Sequence, residues 1–263
     1  FRSGTQASKF TVQRSTTSTA GFINSALITS SSAYSVLTGD AFGFVQPIEG
    51  FNMADLGWGT ANASTVTLSF WVRSSLTGTF GGAIRNGSNN RSYPFSYTIN
   101  SANTWEQKTV TIAGDTTGTW ATDNTAGAYV TFGLGVGSTY SGTAGAWAGS
   151  QLWSATGATS VVGTNGATFY ITGVQLEAGT NATPFEYRSY GTELALCQRY
   201  FQIITASGRY YTGDAAWGLQ YTFKVTMRAS PTYTDGPGAG VSSLPSTNQG
   251  IIDRKSTRRT PVT

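Results

Sequence analysis

Apolar and polar side chains alternate every second residue through most of this chain, which is the period of a β-strand with one buried face. In Val66–Arg73, Val66, Leu68, Phe70 and Val72 fall on one side, and Thr67, Ser69, Trp71 and Arg73 on the other. A strand of that kind belongs in an antiparallel sheet packed on one face. The same pattern predicts strands over Lys9–Arg14, Thr65–Arg73, Tyr93–Ile99, Glu106–Ile112, Ala128–Leu134, Thr168–Gln175 and Trp217–Met227, with shorter runs at Ser35–Thr38, Phe44–Ile48 and Gly81–Arg85. Clusters of Gly, Asn, Ser and Thr separate these runs, as turns require. Strands at this spacing, with almost no 3.6-residue periodicity, predict an all-β fold, a jelly roll or β-sandwich.

One short helix is predicted around Gly191–Cys197, with Leu194 and Leu196 buried. It follows the extended run Pro184–Arg188, which places the domain boundary near residue 188. Residues 1–188 then form the sandwich. Residues 189–263 hold the helix, a smaller β segment over 198–227 and a basic tail, with the stretch after Pro231 read as loop or partner-stabilised chain. Two segments, 113–127 and 138–167, lack apolar periodicity. Loops of that length in a compact domain are functional or held by a partner. The second contains Tyr140, Trp147 and Trp153.

Composition narrows the class. Only 11% of residues are charged, while 39% are hydrophobic and 13% aromatic, so the chain can bury enough apolar surface to offset the entropy of ordering. The formal net charge is +4, yet Arg254, Lys255, Arg258 and Arg259 all lie in the tail. Without residues 253–263, which hold these four and Asp253, the remaining net charge is +1. The body therefore has no basic stripe, and no nucleic-acid partner is expected. Cys197 is the single cysteine, which excludes an intrachain disulfide. No apolar run reaches the roughly 20 residues of a membrane helix, so no membrane insertion is expected. No secretory leader pattern is present. The first residue is Phe1, so processing or a missing segment is expected there.

The chemistry that remains is limited. There is no histidine, so serine–histidine and cysteine–histidine nucleophiles and histidine-ligated metal sites are excluded. Gly133–Gly137 is a glycine-rich strand end without the following helix a dinucleotide fingerprint needs. Glycoside hydrolysis requires only two carboxylates, and Glu49, Glu106, Glu177 and Glu186 lie in or beside strands. Glu177 and Glu186 are more simply read as partners of Arg188 or Arg199, and Glu49 as a structural acceptor, so the chain is expected not to be an enzyme. Asp115–Thr117 and Asp123-Asn124 offer loop oxygens but lack the dense carboxylates of a calcium loop; neither metal nor cofactor is expected.

The sharper expectation is sugar recognition, because pyranose C–H faces pack on aromatic rings while nearby polar groups take the hydroxyls. The candidates read as exposed are Trp58, Tyr140, Trp147 and Trp153, with Asn90 and Arg91 as polar partners beside Asn86 and Asn89. Trp71 and Trp105, on strands, are read as packed. The 198–227 segment carries Tyr200, Phe201, Tyr210, Tyr211, Trp217, Tyr221 and Phe223, too many rings for so short a segment to bury alone. They are expected to line an oligomer interface.

Several runs resemble one family. Ile48-Glu49-Gly50, Asp55-Leu56-Gly57-Trp58-Gly59-Thr60, Thr67–Val72, Asn103–Lys108, Phe169–Glu177, Ala182–Arg188 and Glu193–Tyr200 are similar to phage and environmental-virus fibre-like proteins, with a looser match at Met227–Thr232. Val174-Gln175-Leu176-Glu177 and Cys197-Gln198-Arg199-Tyr200 carry most of the specificity. The resemblance implies a virion structural protein, a tail fibre or head fibre, with a jelly roll like the carbohydrate-binding modules attached to glycosidases. It also implies a homotrimer and other virion proteins as partners but no known ligand; attachment to bacterial surface glycans is the leading expectation. The alternatives are an architectural capsid decoration protein without a ligand and, third, a polysaccharide-degrading enzyme.

Overall fold

The period-2 runs become paired strands, and the computed structural model describes them over residues 2–203, 217–231 and 250–255. In chain order the strands are β1 (Arg2–Gly4), β2 (Phe10–Ser15), β3 (Ser25–Ser30), β4 (Ala41–Glu49), β5 (Val66–Ser74), β6 (Gly78–Asn86), β7 (Ser92–Ile99) and β8 (Glu106–Ile112). They continue with β9 (Ala126–Val136), the two-residue β10 (Ser141–Gly142) and β11 (Ser154–Ala155), and β12 (Thr168–Ala178). Helix α1 (Tyr190–Gln198), β13 (Trp217–Thr222) and β14 (Gly250–Lys255) follow. The chain divides into two units, Phe1–Glu186 and Tyr187–Thr263.

The first unit is a sandwich of two five-stranded antiparallel sheets, with orders β1-β4-β9-β6-β7 (the front sheet) and β2-β3-β12-β5-β8 (the back sheet). The all-β expectation holds. Core rings meet between the sheets: Phe70 of the back sheet lies 5.0 Å from Phe132 and 4.9 Å from Tyr97 of the front, both edge-on. Phe80 and Phe169 face each other at 6.0 Å. Phe42, Phe95, Ile28, Leu68, Ile84 and Leu134 complete the buried core. Burying one such side chain stabilises the fold by about 1.5–3 kcal/mol, which is why the apolar parity of each strand decides its facing.

Some expectations change. Ser35–Thr38 is irregular rather than a strand, because Asp40 folds this stretch into a turn. Its carboxylate accepts the Leu37 N–H at 2.9 Å and the Tyr34 hydroxyl at 2.8 Å. Strand β3 was not predicted; it pairs with both β2 and β12. The strand that starts at Trp217 ends at Thr222, not Met227.

In the second unit, Ser189 caps α1 by accepting the Thr192 N–H, and Glu193 sits in the first turn, where a carboxylate suits the helix N-terminus. Leu194 and Leu196, expected to be buried, are 40% and 43% exposed. A nine-residue helix with leucines two positions apart cannot turn both onto one packed face. Strands β13 and β14 pair antiparallel.

Candidate functional site

The outer face of the front sheet is built from the polar parity of its strands. Pro47, Tyr129, Arg85 and Ser92 form one row across β4, β9, β6 and β7, and Val45, Thr131, Ala83 and Pro94 form the next. Beyond them Gly43 pairs with Gly133. The long 138–167 segment crosses here, and the glycines let it: a Cβ on Gly81 would stand 2.2 Å from Ser154 Oγ, and one on Gly133 would stand 2.8 Å from it. An Ala148–Ser92 bridge and a bond from the Ser92 hydroxyl to the Ser150 carbonyl tie the segment down.

Arg85 lies beneath it, 3% exposed. Its guanidinium carbon sits over the Trp153 ring at 4.3 Å and over the Tyr129 ring at 5.2 Å. Nη1 donates to Asn89 Oδ1 at 2.6 Å and Nη2 to Thr131 Oγ1 at 3.3 Å, while Nε is buried without an acceptor. Burial pulls the guanidinium down to about 10. Trp153 is half-buried, and its indole N–H is also buried without an acceptor.

A second cluster closes one end of the sandwich. Trp58, Trp120 and Trp147 meet edge-on, with centroids 4.6, 5.3 and 5.5 Å apart. Their polar ends are committed: Trp58 Nε1 donates to the Ser64 carbonyl, Trp147 Nε1 to the Ala113 carbonyl and Trp120 Nε1 to Asp115. Trp58, read from sequence as exposed, is 6% exposed, because loops distant in sequence bring two further indoles onto it. Arg91 is bidentate to Asp115 at 2.8 and 2.6 Å. Burial alone would raise the Asp115 carboxyl, but Arg91 and the Thr117 N–H hold it below its ordinary value. Arg91 is therefore a structural ion-pair partner. Asn90 is exposed, accepts a bond from Asn86 Nδ2 and is positioned by its own N–H on Asn86 Oδ1. Tyr140 is half-buried, and its carbonyl accepts the Trp153 N–H. The six predicted residues thus separate into an end cluster, the Arg85–Trp153 contact, and two side chains joined to neither by ring contact.

The back sheet carries what sequence reasoning missed. Trp71 and Arg73 of β5 and Tyr170 of β12 share its outer face, with Tyr170 paired to Arg73 and Thr172 to Trp71. Trp71, Trp105 and Tyr170 are all half-buried. Trp105 meets Tyr170 edge-on at 6.1 Å, and the Arg73 guanidinium lies over Tyr170 at 4.9 Å. Arg73 Nε donates to the Asn103 carbonyl, and Gln107, opposite Trp71, is exposed. The signal was in the parity: Trp71 shares its face with Thr67, Ser69 and Arg73, not with the core residues.

The described carboxylates with a resolved shift are all held ionised by their neighbours. Burial opposes it, yet Lys108 and the N–H groups of Ser101 and Asn100 hold Glu106 down at about 2. The Thr183 hydroxyl and N–H hold Glu177 below its usual value, and Thr125 does the same for Asp123. A glycosidase acid needs the opposite shift to stay protonated near neutrality. Glu49 is buried, and the Glu186 N–H donates to Gln175.

Of the predicted interface rings, Tyr200 and Phe201 are 50% and 71% exposed, whereas Phe223 is 8% exposed. The side chains of Trp217 and Tyr221, and the whole of Tyr210 and Tyr211, lie outside the described residues.

No family model and no curated protein matches the chain. Solved structures are similar to part of the chain at low identity. The enzymatically active domain of bacteriophage CBA120 tailspike protein 4 is similar over 67% of this chain, at 15% identity and a TM-score of 0.37, and the match spans 18% of that chain. The family 11 carbohydrate-binding module from Clostridium thermocellum, solved with a β-1,3-1,4-mixed-linked tetrasaccharide, matches 68% of this chain and 88% of its own, at 9% identity and a TM-score of 0.36. The CBM22-1 xylan-binding domain of Paenibacillus barcinonensis Xyn10C matches 69% and 87%, at 8% identity and 0.31.

Proposed function

We propose that the sandwich unit is a non-catalytic glycan-binding module displayed on a virus particle, and that the second unit joins it to copies of itself and to other virion proteins. One observation carries the binding reading: Trp71, Trp105 and Tyr170 are held half-exposed around Arg73 on the outer face of the back sheet. Large rings left in water on a rigid sheet are a platform for sugar C–H faces. Among the described residues neither the Trp71 nor the Trp105 indole N–H has an acceptor, and of the Arg73 nitrogens only Nε is bonded, so donors for sugar hydroxyls lie among the rings.

A glycan array on the full chain tests this. Reproducible binding that falls at least tenfold in Trp71→Ala and Tyr170→Ala, with melting temperature held, supports it. No bound glycan, or binding indifferent to both changes, removes it.

The assembly reading rests on the second unit, where Tyr190, Leu194, Leu196, Tyr200, Phe201 and Ile203 are all exposed by 40% or more. Apolar side chains at this density mark an interaction surface, and the fibre resemblance favours a trimer. A stable 27.7 kDa monomer at micromolar concentration would sink the trimer. Antibody labelling of intact particles would test the virion location, with label at the tail tip or over the capsid expected.

A further inference from the structure

The least explained group in the sandwich is Arg85, a guanidinium taken out of water with no acidic partner among the described residues. Two rings and two neutral oxygens surround it. Such contacts offset part of the lost hydration, but an apolar side chain of the same volume would fill this space without that cost. The fold therefore keeps a charge that its own stability does not require.

We propose that Arg85 is the anion-recognising centre of a second site, on the outer face of the front sheet, for a carboxylate-bearing saccharide, with the Trp153 side chain as its cover. This rests on the glycan-binding reading but uses the other sheet and other residues. The chemistry of the ligand follows from which groups are free. Nη1 is committed to Asn89 and Nη2 to Thr131, which leaves the Nε edge. The Trp153 indole, in contact with the guanidinium, has another buried N–H without an acceptor. Two donors at one contact suit the two oxygens of one carboxylate.

Rings already lie against the guanidinium, so a ligand can meet it only at its edge. A planar carboxylate fits such an edge, whereas a tetrahedral sulfate or phosphate directs oxygens toward the rings. Half-exposed Tyr129 and exposed Pro47, paired in the same row, supply the apolar floor for the sugar ring. Access to Nε requires a shift of the Trp153 side chain that keeps its N–H at the site, because the backbone on both sides of it is held. The Ala148–Ser92 bridge precedes Trp153, Ser154 follows it against Gly81 and Gly133, and its own N–H is bonded to the Tyr140 carbonyl.

The test is a titration of the full chain followed through the Arg85 Nε–H and Trp153 indole N–H signals in 1H–15N spectra, assigned with Arg85→Lys and Trp153→Phe. The probes are galacturonate trisaccharide, its methyl ester and sodium acetate. Both signals should move with the acid, the ester should bind at least tenfold more weakly, and acetate should move the same signals at higher concentration. Arg85→Gln and Arg85→Met should erase the preference for acid over ester without lowering the melting temperature, while Trp71→Ala should leave the preference intact. The proposal is overturned if neither signal moves with the acid, if acid and ester bind equally, or if Arg85→Gln keeps the preference. Loss of all binding in Trp71→Ala with no effect of Arg85→Gln would overturn it while leaving the back-sheet platform standing. An acid preference lost in Arg85→Gln, with all glycan binding indifferent to both Trp71→Ala and Tyr170→Ala, would support the Arg85 site and remove the back-sheet platform.

Discussion

Replacing Asp115 with Asn should loosen one whole end of the sandwich. The Asp115 side chain is 2% exposed and takes both arms of Arg91, whose side chain is 20% exposed. It also accepts the Thr117 N–H and hydroxyl and the Trp120 indole N–H. Removing one member of a fully buried ion pair costs about 3–5 kcal/mol, because the other charge is left without a partner. Arg91 keeps some contact with water, so the expected loss is about 2–3 kcal/mol, or a melting point lower by about 5–10 °C for a unit of this size. Urea denaturation at pH 7 measures it, and an unchanged m-value would show that the folded and unfolded states keep their extents. The double change Arg91→Met with Asp115→Leu should recover most of the loss. A loss below about 1 kcal/mol, the range of an exposed pair, would refute the reasoning. The pH dependence gives an independent check. The folded carboxyl titrates below its unfolded value of about 3.9, so its contribution is fully present above that value. It disappears as pH falls through the folded value, and the gap between the wild-type protein and Asp115→Asn should narrow over that window.

Three further outcomes are expected. Glu106→Gln should destabilise by about 1–2 kcal/mol at pH 7, since Glu106 accepts the Asn100 and Ser101 N–H groups and pairs with Lys108. That loss should shrink from about pH 4.3 downward as the wild-type carboxyl is protonated toward its folded value of about 2, readable from melting curves across pH. Gly81→Val should displace the 138–167 segment, because the first added carbon already meets Ser154 Oγ and the Ala155 nitrogen, and limited proteolysis should show new cleavage there. Trp58→Ala should cost about 3–5 kcal/mol, whereas Trp71→Ala on the half-exposed face should cost about 1 kcal/mol; equal losses in denaturant titration would contradict the facing assigned to each.

The strands were legible wherever one face of alternating residues is apolar and unbroken. Val66–Ser74 is of this kind, and its parity puts Trp71 among polar residues; Glu106–Ile112 was legible from alternation alone, with only Val110 and Ile112 apolar on one parity. β3 was not read, because in Ser25–Ser30 only Ala26, Ile28 and Ser30 share the inward parity, a short and partly polar signal. Ser35–Thr38 had a strand-like run but is set by the Asp40 side chain, whose bonds no periodicity reveals. The binding candidates fared differently. A tryptophan in a glycine-rich loop gives no local sign of whether it faces water, and Trp58 is buried only because Trp120 and Trp147 arrive from loops some 60 and 90 residues away.

The sequence by itself determined the class of the fold and the chemistry it lacks. Period-2 patterning acts between neighbouring residues, and the absence of histidine and the single cysteine are properties of composition. Only the tertiary structure decided which rings face water and which charge is left without a partner. Those depend on which strands become neighbours and which loop crosses which face. Arg85 is an ordinary strand residue in the sequence; it becomes a buried cation because glycines on three adjacent strands admit the 138–167 segment above it.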